Sequence, residues 1–228
     1  KAESDASFTA QAGLPAPALM AAGPQAPAMT AAKGLREEVL RSFERNHVFP
    51  EGASQEVRES VPRIVRGMLS NISLDKLQRI AGCMKGVIVV PGGRSPTALA
   101  PFAGLPPDKL SELDREWRHL GGCAYRFPDG SFMVLIKEKY GGWISESTVI
   151  HELGHIVHLC GLTGSQKELV EKIYAEQERE GAYRNGPFEY FAQNTALWFQ
   201  NGSQWVRDDV KMYYLLEAVY GSSREIAQ

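Results

Sequence analysis

Two histidines stand four residues apart in His151-Glu152-Leu153-Gly154-His155, with a carboxylate beside the first. On a helix this spacing puts both imidazoles on one face, one turn apart, where their nitrogens converge on a single cation. Glu152 comes within reach of a water at that cation and is the candidate general base. The neighbours Val149, Ile150, Leu153, Ile156, Val157 and Leu159 predict a largely buried helix over 146–160. A polar trio in such a helix is costly to desolvate unless a partner or a metal holds it. One catalytic Zn²⁺ is the expected ion, because HExxH on a helix is a zinc-peptidase donor pattern.

A catalytic zinc takes three protein ligands and keeps one position open. His158 and Gly161 stand where the longer HExxHxxGxxH pattern needs Gly and His. The third ligand must therefore come from another element. Glu189 is the best candidate, in the first turn of an aromatic-rich helix predicted over 187–200, with Phe188, Phe191, Trp198 and Phe199 around it. A carboxylate in such surroundings usually has a partner. Glu171, Glu176, Glu178 and Glu180 are poorer candidates, placed as solvated charges on the preceding helix. His158 is expected in the pocket wall as a hydrogen-bonded side chain, and Cys160 as a buried apolar thiol. His47 and His119 fall at predicted helix ends, where a cation suits the dipole, and receive no role. Trp143 either lines the cleft or packs as part of a Gly-Gly-Trp turn.

The elements that must position these groups follow from hydrophobic spacing. Helices are predicted from Lys33, over 54–70 and after Ser73, together forming a helical subdomain over 33–85. Val87-Ile88-Val89-Val90 before Pro91-Gly92-Gly93 has the signature of a buried strand. A helix from Pro106 to His119 precedes a hairpin, Cys123–Phe127 and Ser131–Tyr140, turning at Pro128-Asp129-Gly130. Four helices follow, over 146–160, 166–180, 187–200 and 206–219, the second opened by a capping box at Ser165-Gln166-Lys167-Glu168. The fold class is α+β, mostly helical with a small mixed sheet, and 86–228 is the catalytic domain. The strand 131–137 is expected at the sheet edge, where an extended peptide adds to it.

Residues 1–32 differ in kind, with twelve Ala, four Pro and three charged residues. Extended or polyproline backbone is expected there, as a linker after an export signal or as a pro-segment along the cleft. The 228 residues carry a net charge of −2, which argues against a broad nucleic-acid-binding face. No apolar run reaches the ~18 residues that a membrane-spanning helix needs. Three cysteines are too few for a disulfide scaffold. One bridge, Cys83–Cys123, is compatible with an oxidising compartment.

His-Glu-Leu-Gly-His, a following helix with Ile173-Tyr174, and Glu189-Tyr190-Phe191-Ala192 some 34 residues after His155 together resemble a known group. These segments are similar to the gluzincin metallopeptidases of the anthrax lethal factor type, which include secreted Pro-Pro endopeptidases. The resemblance covers roughly residues 86–228. It implies a zincin-like fold with the active-site helix and a helical C-terminal half flanking a cleft, and Glu189 as third zinc ligand. It also implies Tyr183 as the electrophile that supports the oxyanion, secretion, and a protein or peptide substrate that is worth testing as Pro-rich. Two positions depart from the family. Tyr183 stands one residue closer to the ligand Glu than the family's Tyr, and Gln193 replaces a Glu one turn after it. Gln193 can still bond a ligating histidine.

The expected activity is hydrolysis of extended protein segments by a zinc endopeptidase. A catalytically lapsed binding module and a toxin or effector protease with a single target are the alternatives.

Overall fold

The computed structural model describes residues 26–179, 186–201 and 209–221, with backbone alone at 26–29, 178–179 and 201. Among these residues the chain is mostly helical with a small mixed sheet, an α+β arrangement. Helices α1 (Ala26–Arg45), α2 (Gln55–Leu69) and α3 (Leu74–Cys83) lead into β1 (Met84–Val90). Then come α4 (Pro107–Trp117), β2 (Gly122–Arg126), β3 (Phe132–Lys137) and α5 (Glu146–Ile156). Helices α6 (Gly164–Arg179), α7 (Gly186–Asn201) and α8 (Val210–Tyr220) complete the described chain. No described helix is long and apolar enough to cross a membrane.

The sheet order is β1-β3-β2, with β1 parallel and β2 antiparallel to β3. The predicted edge strand 131–137 is therefore wrong: β3 is central, and the free edge belongs to β2. Two strands of the hairpin were available to meet β1, and the crossover through α4 delivers β3. Burial of Phe132, Met133, Val134, Leu135 and Ile136 agrees with a strand covered on both faces. Val87, Val89, Val134 and Ile136 face a core shared with all helices except α4. Ile88, Val90, Met133 and Leu135, on the alternate phase, meet Phe102, Leu113 and Trp117 on the α4 side.

The helix starts show what the sequence pattern misplaces. Ala26–Ala32 belong to α1, where extended backbone was expected. Ala is the best helix former, and Pro27 falls in the first turn, where its missing N–H breaks no intrahelical bond. Residues 1–25, with the linker and pro-segment readings, lie outside the described residues. The capping box sits two residues before its predicted place. Gln166 N donates to Thr163 Oγ1 at 3.3 Å and Thr163 N to Gln166 Oε1 at 3.1 Å, so α6 begins at Gly164. Asp209 accepts from Met212 N at 3.0 Å and starts α8 later than the apolar period suggests.

The disulfide is Cys83–Cys160, not Cys83–Cys123, and Cys123 is free on β2. Cys160 is thus no apolar thiol. It follows α5 in a π turn, Val157–Gly161, which packs against α3, and there the two sulfurs meet. Closing a span of 77 residues lowers the entropy of the unfolded chain by an amount worth about 4 kcal/mol.

His47, just past α1, is half-buried and neutral rather than a cation on the helix end. Burial pushes its pKa down to about 4 against the pull of Glu44, and neither ring nitrogen has a hydrogen-bond partner among the described residues. The unfolded chain takes up this proton first as pH falls. The associated stability is present above about pH 6.5 and is lost as pH falls toward 4. We expect the thermal midpoint to drop across that range, and His47→Leu to make the drop shallower by about 1–2 kcal/mol, discounted for a ring only partly removed from solvent. Thermal unfolding of both proteins at a series of pH values checks this; parallel curves would discount His47.

Candidate metal centre

Helix α5 starts at Ser145, whose Oγ accepts from Thr148 N at 3.3 Å. Its buried face holds Val149, Ile150, Leu153 and Ile156 in the core, which turns His151 and His155 together toward β2 and α7. The two imidazole centroids are 4.7 Å apart and nearly perpendicular.

Helix α7 brings the carboxylate. Gly186 opens it with positive φ, and its N–H donates to the Tyr174 hydroxyl at 3.1 Å, which fixes the first turn. Close approach of α7 to α5 depends on Gly154. A Cβ there would lie 3.0 Å from Ala192 Cα and 3.2 Å from Thr195 Cβ. The glycine inside HELGH thus has a structural reason: it lets Glu189 descend onto the histidines. Glu189 Oε2 lies 3.2 Å from His151 Nε2, and Oε1 lies 3.3 Å from His155 Nε2. These three side chains form a group whose donor atoms all lie within 4.8 Å of one another.

The donor set suits zinc by chemistry: two imidazole nitrogens and a carboxylate oxygen are common zinc donors. One Glu189 oxygen faces each imidazole, and the three groups converge on one point of the cleft.

Strand β2 covers the other side of the helix. At Gly122 a Cβ would come within 2.9 Å of Glu152 Cγ, 2.9 Å of Leu135 O and 3.0 Å of Thr148 Cγ2. Only a glycine lets the strand lie this close. Glu152 is 6% exposed as a result. Burial pushes its pKa up to about 7; the charge on His151 and the Ala124 backbone N–H pull the other way, and Glu189 adds to the rise. Glu189 behaves oppositely: hydrogen bonds from His151 and His155 hold it far below the ordinary carboxylate range. For His151 burial lowers the pKa, but the Glu189 hydrogen bond and the charges of Glu152 and Glu189 outweigh it, for a net rise.

A cleft of about 250 Å³ opens over these groups, with Leu120, Gly122, Ala124 and Phe188 in its walls. Four sequence-predicted residues meet there: His151, Glu152, His155 and Glu189. Tyr183 lies outside the described residues. His158 does not line the cleft and is no hydrogen-bonded wall residue. Both its nitrogens are buried without partners among the described residues, between Phe188 and Phe191. Burial, with Lys167 and His155 nearby, lowers its pKa to about 4. Trp143 is half exposed in a turn closed by its bridge to Lys139, away from the cleft lining. Gln193 makes no hydrogen bond to either histidine among the described residues, and His155 Nδ1 is left without an acceptor. Sequence reasoning missed β2 as a wall, although a Gly-Gly pair entering a strand is a signal of close backbone approach.

No family model matches the sequence, and no curated protein matches it.

Proposed function

We propose that this chain is a zinc-dependent endopeptidase of zincin-like fold, with His151, His155 and Glu189 as metal ligands. The observation that carries the reading is Glu189 spanning both Nε2 atoms at 3.2 and 3.3 Å, from a different helix, beside a buried glutamate that binds neither. Zn²⁺ at these donors supplies Lewis acidity to a peptide carbonyl and to an attacking water.

The remaining work falls to the chain. Glu152, with its pKa raised to about 7 and its carboxylate aimed by the Ala124 N–H, takes the water proton and hands it to the leaving amine. The outer edge of β2, which pairs with no strand among the described residues, holds an extended substrate by strand addition along the cleft. Tyr183 donates to the developing oxyanion, as the family resemblance implies. Substrates are extended protein segments, with Pro-rich ones first to test. The Cys83–Cys160 bridge favours a secreted or extracytoplasmic setting.

The test is metal content per chain, with cleavage of unstructured peptides before and after chelation. One zinc per chain, and cleavage that is lost with chelator and restored by zinc, is expected. Zinc without cleavage of any peptide supports the lapsed binding module. Cleavage of one sequence among many supports a single-target protease. No bound zinc removes the proposal.

A further inference from the structure

We propose that Phe188 positions the metal ligand His155, taking over by face-to-face stacking the orienting role that a hydrogen-bond acceptor plays behind most metal-bound histidines. This rests on the metal-centre reading above. His155 is 4% exposed, with Nε2 turned to Glu189. An imidazole that gives Nε2 to a metal carries its proton on Nδ1. That N–H ordinarily meets a carboxylate, a carbonyl or water, which fixes the ring and sustains its donor strength. Here Nδ1 is buried with no acceptor among the described residues. Something else must hold the ring.

Two rings do so. Phe188 stacks on His155 with centroids 4.0 Å apart and planes 25° from parallel. His151 meets the same imidazole edge-on at 4.7 Å. Phe188 is steadied in turn by the edge-to-face contact with His158 at 5.4 Å. It immediately precedes Glu189, so the first turn of α7 delivers a ligand and the brace for another ligand together. The contact also responds to loading. A cation at Nε2 draws electron density from the imidazole, and the π face of Phe188 favours an electron-poor ring. The stack therefore stabilises the metal-bound state more than the free one, and Phe188 raises affinity as well as fixing orientation.

The experiment compares the parent with Phe188→Ala, Phe188→Leu and Phe188→Tyr. Zinc affinity is read by competition with a chromophoric chelator, ligand geometry by the absorption of the Co²⁺-loaded protein, and folding by thermal unfolding without metal. Phe188→Ala should weaken zinc by about 10-fold or more, within the ~10–100-fold range for groups supporting a ligand. Phe188→Tyr should restore affinity and the Co²⁺ spectrum. Phe188→Leu keeps apolar volume without a ring and should remain weak while unfolding near the parent temperature. Parent-like affinity in Phe188→Ala, or equal affinity in Phe188→Leu and Phe188→Tyr, overturns the proposal and leaves the metal centre standing. A parent that binds no zinc overturns both.

Discussion

Under the proposed function, Glu152→Gln is expected to bind zinc as the parent does and to hydrolyse peptides about 10²–10⁴-fold more slowly, the range a positioned general base contributes. The substitution is close to a pure test. Gln keeps the volume that packs beneath Gly122, and its carbonyl oxygen still accepts from the Ala124 N–H. It cannot accept a proton from water. Glu152 is also no member of the metal-binding group, so occupancy should not move. Kinetics on samples matched for zinc content check the expectation. A variant within tenfold of the parent would take the base role away from Glu152.

Glu189→Ala acts on the metal itself. Zinc binding by small protein sites is worth at least ~10 kcal/mol, and one of three protein donors carries roughly a third of that. A fall in affinity of at least about 10²-fold follows, with cleavage lost at metal concentrations that saturate the parent. The fold should survive. Glu189 is only partly buried, and the α5–α7 contact is made by Gly154, Ala192 and Thr195 rather than by the carboxylate. Chelator competition gives the affinity. A variant that retains parent affinity places the third ligand elsewhere.

The convergence of His151, His155 and Glu189 was legible because its strongest part is local. Two histidines one turn apart declare themselves in any helix, and Glu189 stood out as a charge among aromatic neighbours. Sheet order was not legible. Hairpin spacing shows that β2 and β3 pair, but which of them meets β1 is decided by a contact across more than forty residues, without a local signal. The error mattered, since it put the substrate edge on a buried strand. The cysteines failed for a related reason: three thiols permit three pairings, and only the packing of α3 on the π turn chooses among them. At Ala26–Ala32 the proline content of the tail outweighed an alanine-rich run, although Pro27 sits where a helix tolerates it.

The span between Cys83 and Cys160 is a covalent ring that contains the whole sheet, α4 and both histidines. Its surface turns include Gly92-Gly93 and Asp129-Gly130, exposed or nearly so. Should another protease nick the backbone at either turn, the pieces do not part. The C-terminal fragment keeps His151, His155 and Glu189 together, and the bridge ties it to the helices of the N-terminal one. Such a nicked molecule runs as one species until its disulfide is reduced, and then as two. The ring thus lets the half that carries the candidate metal group outlast a broken chain.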